Sequence, residues 1–347
     1  MILHQYFNFK ENDVRKEVKL FILLVVAFAL FAAPQVFAGG QQEDEETDSI
    51  EMFIAGTSGA EDTQSMGHFE YEKRLEEASD GVFDVEVKIN AVMGETDDVT
   101  EQAIEGVPVV NATDPGRLAN YVPDYGLIQM PYLFPDHTYL NEVMDTDLYK
   151  QWEKEFEEKG LKLVTSNGYS GVRSWIANHP VREPEDLDGV KVRTIGSDLF
   201  VKSVEAMGGI ATAIPWAETY QAIEQGVVDA TEAQIPGIYA MRFYEILDHI
   251  SLSEHFTLIA SMVTGTKFFD SIPEEYQTMM MEVAYETYKD NQDIVVSKSK
   301  EYIKEMEDEG VTVHEIDKDP FIEAVQPVYD EMGFAELRDE LYAELGL

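Results

Sequence analysis

Two arginines near the middle of the chain, Arg173 and Arg193, are the side chains best suited to bind a small ligand. The alternating patterns at Lys191–Ile195 and Val227–Ala230 predict strands, and an arginine at the end of a strand faces a cleft. A guanidinium group offers a planar fork of donors that satisfies two anionic oxygens at once. The chain has 68 Asp and Glu residues against 25 Lys and Arg, so a surface salt bridge is the alternative role for each arginine.

Residues for metal binding and catalysis do not form a known pattern. None of the seven histidines stands at ligand spacing from another histidine, and the chain has no cysteine. Acidic pairs such as Asp97–Asp98 can bind calcium, but in so acidic a chain they are typical of a solvated surface. Gly56–Ala60 falls short of the serine motif G-x-S-x-G, and no phosphate loop or dinucleotide fingerprint is present. We therefore expect no metal, no cofactor and no enzymatic activity.

The first part of the chain predicts alternating strands and helices. Strands are expected at 161–165 and, in a β-α-β-α-β order, at 50–55, 82–92 and 107–112, with helices at 65–79 and from about 93 to 106. This order predicts a parallel sheet, whose strand ends line a crevice where ligands bind in open α/β folds. Glu95, Thr113 and Asp114 lie on loops at those ends, so we expect them to face the cleft. The two acids have a second interpretation, as solvated surface residues.

A long helix is predicted in the second half of the chain. Ser271–Glu274 has the sequence of a capping box with proline in the first turn. Apolar residues then recur at helical spacing without proline or glycine until Gly310. A helix of about 37 residues is roughly 55 Å long, which is more than one small lobe requires. Because the chain length favours two domains, we expect this helix to span both.

Three motifs make the chain resemble a known family, the DctP-like extracytoplasmic solute-binding subunits of tripartite ATP-independent periplasmic (TRAP) transporters. Gly171–Arg173 matches G-x-R, and Pro184–Arg193 matches P-x-D-L-x-G-x-K-x-R. Pro215–Glu232 matches P-x-x-x-x-Y-x-A-x-x-x-G-x-x-D-x-x-E. The three motifs stand in the family's order and spacing, and the resemblance extends from about Met52 to about Gly333.

The resemblance implies a two-lobed α/β fold of the periplasmic-binding-protein type, with a hinged cleft and a long helix spanning both lobes. Lobe I is expected to comprise residues 50–170 and about 259–298. Lobe II is expected to comprise 171–258 and about 299–347.

The resemblance also implies roles for individual residues in the cleft. Arg193 corresponds to the arginine that pairs head-on with the carboxylate of the solute, and Arg173 to one that approaches from the side. Trp216 corresponds to an aromatic residue that closes over the ligand, although a position in the core is the alternative. Gln234 stands near the place where relatives with polar ligands often carry asparagine, which predicts a less hydroxylated ligand.

The function implied is that of a binding protein, which captures a small organic acid, a monocarboxylate or a dicarboxylate, in its closing cleft. It would deliver the acid to the small and large integral membrane subunits of a TRAP transporter. A ligand-sensing protein that presents the bound anion to a membrane receptor is the alternative. A secreted enzyme would have to turn over its ligand. The net charge of −43 argues against nucleic acid as a partner, and we expect a monomer.

The N-terminal segment predicts export. Lysines and an arginine precede an apolar run at Leu20–Ala33, which is shorter than the ~20 residues of a membrane span. Residues 1–38 are therefore expected to be a signal peptide cleaved after Ala38, with an uncleaved anchor as the alternative. Residues 39–49 predict a disordered acidic leader. The protein is expected to be periplasmic or otherwise extracytoplasmic, and without cysteine it cannot carry a lipid-modified cysteine.

Overall fold

The computed structural model describes residues 49–347. The predicted signal peptide, residues 1–38, lies outside this range, and so does all of the predicted acidic leader except Ser49. None of the described helices combines the length and the apolar character that a membrane span requires.

The described chain forms one mixed sheet flanked by helices. Its nine strands are β1 (Ile50–Ala55), β2 (Phe83–Lys88), β3 (Val109–Thr113), β4 (Leu161–Ala177), β5 (Lys191–Thr194), β6 (Ile210–Ala213), β7 (Ala230–Gln234), β8 (His249–Gly265) and β9 (Thr312–Glu315). The order across the sheet is β2-β1-β3-β8-β4-β7-β5-β6, and β9 pairs with β8. β1 is parallel to β2 and β3 at one end, and β5 is parallel to β6 and β7 at the other. The predicted parallel β-α-β-α-β unit is therefore confirmed.

The two parallel ends are joined by β4 and β8, which are antiparallel to each other and 17 residues long each. The sequence predicted a strand only at 161–165. The β4–β8 register shifts four times between Leu163 and Trp175, and such irregularities interrupt the alternation by which a strand is recognised. At Gly168 the two strands approach so closely that a Cβ atom would lie 2.4 Å from the carbonyl oxygen of Ala260.

Helices cover both ends of the sheet. They are α1 (Thr63–Ala78), α2 (Thr96–Glu105), α3 (Pro115–Leu118), α4 (Tyr139–Val143), α5 (Asp147–Glu158), α6 (Asp198–Ala206), α7 (Thr219–Glu224), α8 (Ile235–Ala240), α9 (Thr266–Phe269), α10 (Glu274–Asp308), α11 (Asp319–Glu331) and α12 (Ala335–Leu345). Short 3₁₀ helices lie at Pro123–Gln129, Pro184–Leu187, Trp216–Glu218 and Phe243–Glu245. The predicted helices at 65–79 and 93–106 correspond to α1 and α2.

The long helix α10 has 35 residues and crosses from one end of the sheet to the other. Near its start, Met280 and Tyr288 pack in the hydrophobic cluster of β1, β2 and α1. Val295 lies in a central cluster, and Tyr302 and Met306 pack with residues of β7, β8 and α8. The helix therefore contributes to hydrophobic clusters at both ends of the sheet and between them, as expected from its predicted length.

Two local predictions are wrong. The capping box at Ser271–Glu274 does not form, because Pro273 is the N-cap residue and makes no side-chain bond to the first turn. The predicted strand at Val227–Ala230 begins only at its last residue. Gly226 adopts a left-handed conformation with φ of 70°, and the next backbone N–H bonds back to the carbonyl of Ala222. These residues therefore terminate α7 before β7 starts.

The C-terminal helices divide between the two ends of the sheet. α11 packs against α6 and β8, whereas α12 packs against α4 and the 3₁₀ helix at Pro123–Gln129. Leu341 of α12 is fully buried in the central cluster. This contact places the last helix beside the predicted lobe I, although the sequence assigned residues 299–347 to lobe II.

Candidate ligand-binding cleft

A cavity opens between the two ends of the sheet, with about 630 Å³ of empty space that includes its opening to solvent. All seven residues that the sequence analysis selected contribute to its lining: Glu95, Thr113, Asp114, Arg173, Arg193, Trp216 and Gln234. The first wall is formed by the loops after β1 and β3 and before α2. The second wall is formed by β4, β5, β7 and the 3₁₀ helix at Trp216–Glu218.

Arg173 lies on β4 and is fully paired. Its Nη2 donates to Glu232 Oε1 at 2.8 Å and to the Glu232 carbonyl oxygen at 2.6 Å, and its Nε also binds the Glu232 carboxylate. Its Nη1 donates to Gln234 Oε1 at 3.0 Å. The strand register sets these contacts, since Arg173 faces Gln234 across the β4–β7 pair and Glu232 lies two residues before Gln234 on β7. The protein itself therefore neutralises the charge of Arg173.

Glu232 is fully buried and is held by further contacts. Thr194 Oγ1 donates to its Oε1 at 2.6 Å, and His255 Nε2 lies 3.6 Å from its Oε2. Burial alone would raise the pKa of Glu232, but the charge of Arg173 and the contact with His255 lower that pKa to about 2. Burial lowers the pKa of His255 and so disfavours the charged form of its imidazole. The result is an ionised carboxylate matched to a single cation, Arg173.

Arg193 lies on β5 and, unlike Arg173, is not paired with a carboxylate of the described residues. The residue is 2% exposed, and no carboxylate among the described residues lies within 4.0 Å of its guanidinium. Its Nε donates to the carbonyl oxygen of Ile214 at 2.9 Å, while its buried Nη1 makes no hydrogen bond within the part of the chain that the structure describes. Burial and the nearby charge of Arg173 lower the pKa of Arg193 to about 9. The cleft thus contains a buried cation with an unused donor.

Trp216 both packs and lines the cleft. Its ring lies 5.1 Å from the Cζ atom of Arg193, and it makes an edge contact with Phe243 at 5.4 Å between centroids. The neighbouring Gly237 makes room for it, since a Cβ there would lie 3.1 Å from Trp216 Cζ2 and 2.6 Å from Gln234 Nε2. The half-buried tryptophan therefore holds the guanidinium of Arg193 in place from one side. One part of the Trp216 side chain packs against the core residue Phe243, and another part lines the cleft.

The first wall contains a second, smaller network of charged side chains. Asp114 is the N-cap residue of α3, and its Oδ1 accepts from the backbone N–H of Arg117 at 3.0 Å. Its Oδ2 lies 3.2 Å from Arg117 Nε, and Arg117 Nη1 donates to Asp97 Oδ2 at 2.6 Å. Burial raises the pKa of Asp114 against the lowering effect of Arg117. Asp114 is therefore an ion-paired part of the cleft wall, not a solvated surface acid.

Thr113 and Glu95 face the cleft from the first wall, and their side-chain oxygens make no hydrogen bond within the described residues. Thr113 ends β3, and its buried Oγ1 has no hydrogen-bond partner among the described residues. Glu95 is the N-cap residue of α2, but its side chain makes no capping bond. It also forms no salt bridge with any described cation. Both groups are free to contact a ligand.

The sequence missed much of the first wall. The remaining lining residues are Thr57, Ser58, Gln64, Thr96, Ala112, Arg117, Ile195, Leu258 and Ile259. Threonine, serine and glutamine have no distinctive spacing, although the turn at Gly56–Gly59 was a signal for part of this set. The lining as a whole is mainly polar. The many polar side chains do not favour the predicted less hydroxylated ligand, which stays a prediction.

The arrangement of motifs and cleft agrees with comparisons to known proteins. The model of the family described as bacterial extracellular solute-binding protein, family 7, matches residues 54–336. The chain belongs to this family. A solved TRAP periplasmic solute-binding protein from Ochrobacterium anthropi, with bound L-fuconate, is 32% identical with a TM-score of 0.82. The match covers 86% of this chain and 99% of that one.

Two curated relatives belong to the same group. A solute-binding protein from Chromohalobacter salexigens is 28% identical over 263 residues, which is 75% of this chain and 78% of the relative. The C4-dicarboxylate-binding periplasmic protein DctP from Rhodobacter capsulatus is 26% identical over 274 residues, covering 77% and 81% of the two chains. The family consists of extracytoplasmic binding proteins, not enzymes, and the two-lobed α/β fold is that of its solved members.

Proposed function

We propose that this protein captures a small hydroxylated organic acid in its cleft and delivers it to the membrane subunits of a TRAP-type transporter. The observation that carries the proposal is Arg193. A buried guanidinium without a counter-ion is costly in free energy, and a carboxylate bound in the cleft would supply the missing charge. Arg193 would bind the carboxylate head-on, with Arg173 beside it.

The rest of the lining supports a ligand that carries hydroxyl groups. Thr113 Oγ1 and the carboxylate of Glu95 have no partners in the described residues, and sugar hydroxyls both donate and accept. Ile195, Leu258 and Trp216 supply apolar surface for the carbon skeleton. The 32%-identical solved protein was found with L-fuconate, a sugar acid of this kind.

The fold supports capture by hinge closure. We assign residues 50–170, about 259–298 and 335–347 to lobe I and residues 171–258 and about 299–334 to lobe II, joined by β4, β8 and α10. The two walls already meet at Gly116, where a Cβ would lie 2.8 Å from Ser197 Oγ. Closure around the ligand would bury it between the walls.

Calorimetry with matched ligands tests the proposal. Sugar acids such as L-fuconate and D-galacturonate are titrated into the purified protein, each beside a neutral compound of the same skeleton in which a hydroxymethyl group replaces the carboxylate. The acid should bind and the neutral compound should not. Equal binding of an acid and its neutral counterpart would overturn the role of Arg193, and conversion of the recovered acid would contradict a binding function.

A further inference from the structure

Three of the five charged side chains that line the cleft are paired within the protein. Arg173 is paired with Glu232, and Arg117 is paired with Asp97 and Asp114. These pairs use every lining cation except Arg193. Within the described chain the cleft therefore offers one unmatched positive charge to an anion.

Glu95 lies on the opposite wall and is an unmatched negative charge. It is half-buried, and its carboxylate makes neither a capping bond nor a salt bridge within the described residues. Its charge acts on the arginine site: burial and Arg173 lower the pKa of Arg193, while Glu232 and Glu95 raise it. Glu95 and Arg193 line the same cavity, so a ligand bound between them lies next to both charges.

We propose that Glu95 makes this site selective for acids with a single carboxylate. The inference rests on the proposed function, because it assumes that Arg193 holds the first carboxylate. A second carboxylate, placed against the first wall, would meet Glu95 and Asp114 and would find no free cation there. A hydroxyl in the same place donates a hydrogen bond to these carboxylates instead. The preferred ligand class is therefore the polyhydroxy monocarboxylates.

The fold of the family does not by itself determine whether the ligand carries one carboxylate or two. The 26%-identical relative from Rhodobacter capsulatus is named as a C4-dicarboxylate-binding protein. The discrimination must then come from side chains in the individual cleft, and like charges placed against each other are an effective way to reject a ligand.

Pairs of acids with the same skeleton provide the test. In L-galactonate and galactarate, and in D-erythronate and meso-tartrate, the second member differs only by a carboxylate in place of the terminal hydroxymethyl group. Calorimetry at pH 7 should show the monocarboxylate binding at least roughly 30-fold more tightly than its partner. Glu95→Gln should reduce this ratio several-fold by improving the affinity for the dicarboxylate. Glu101→Gln, an equal charge change at an exposed position of α2, should leave the ratio unchanged.

The outcomes separate the two proposals. If the dicarboxylates bind as tightly as their partners, the inference is overturned while the proposed function stands. If Glu95→Gln leaves the ratio unaltered, or if Glu101→Gln alters it equally, Glu95 is not the selecting residue and the inference is again overturned. If no member of any pair binds, and no other sugar acid does, the proposed function fails together with it.

Discussion

Arg173 and Arg193 are twenty residues apart in the sequence, line the same cleft and are almost equally buried, yet only Arg173 has a carboxylate partner among the described residues. Arg173 is bonded to a buried carboxylate through two of its nitrogens. Arg193 donates one hydrogen bond to a backbone carbonyl and lies against the ring of a tryptophan. The comparison indicates that Arg173 belongs to the architecture of the site, and it supports the proposal that Arg193 binds the ligand. Variants of the residues around them can separate these two roles.

The largest effect on stability is expected at the paired arginine. Arg173→Ala leaves the carboxylate of Glu232 buried without its cation, and breaking such a pair typically costs about 3–5 kcal/mol. Denaturant unfolding of the ligand-free variant measures this loss. Arg74→Ala is the control, because Arg74 forms partly exposed pairs with Glu70 and Asp290, which contribute about 0–1 kcal/mol. An Arg173→Ala protein as stable as the control would mean that the buried pair does not hold the site together.

A smaller effect, on affinity, is expected at Trp216. Trp216→Ala removes the ring that lies against Arg193, an interaction of about 0.5–2 kcal/mol, so the dissociation constant for the acid should rise by roughly 2- to 30-fold. Trp216→Phe keeps an aromatic face and should lose less. Calorimetry on both variants compares them. If Trp216→Ala unfolds the protein instead, the packing on Phe243 is the main role of this side chain.

The smallest effect is expected on the first wall. Thr113→Val keeps the shape of the side chain and removes a buried hydroxyl that has no partner in the ligand-free protein. Stability should not fall, whereas the affinity for a hydroxylated acid should drop by about 0.5–1.5 kcal/mol, the value of one hydrogen bond. Unfolding and calorimetry on the same preparation measure the two quantities. Tighter binding by the valine variant would show that Thr113 does not contact a ligand hydroxyl.

The second wall was more predictable from sequence than the first. Its arginines, Trp216 and Gln234 lie in or beside motifs of fixed spacing, and the structure brings them together. The partner of Arg173 was not predictable, because Glu232 reaches it through the β4–β7 register, which no local pattern encodes. Arg193 is unpaired because no carboxylate of the described residues lies near it, and a local sequence pattern does not predict such an absence. Residue type alone therefore predicts the same two alternatives for both arginines, a surface salt bridge and a bond to the ligand.

Much of the first wall and much of β4 were not predicted, for other reasons. Thr57, Gln64 and Arg117 come from separate loops and helices that meet only in the folded chain. Much of β4 was missed because small polar residues such as Ser166 and Asn167 are buried there, so the strand lacks the alternation of a half-buried strand. The long helix was found because an uninterrupted apolar repeat is a strong local signal.

The most direct test of the central claim is to measure affinity and ligand-free stability on one variant, Arg193→Met. Methionine fills a similar volume without the charge, so the unfolding free energy of the ligand-free protein should stay the same or rise, because a buried unmatched cation is removed. Affinity for the acid should fall by about 2–5 kcal/mol, or roughly 30-fold to several thousandfold. Near-normal affinity, or a loss of stability like that expected for Arg173→Ala, would contradict the account.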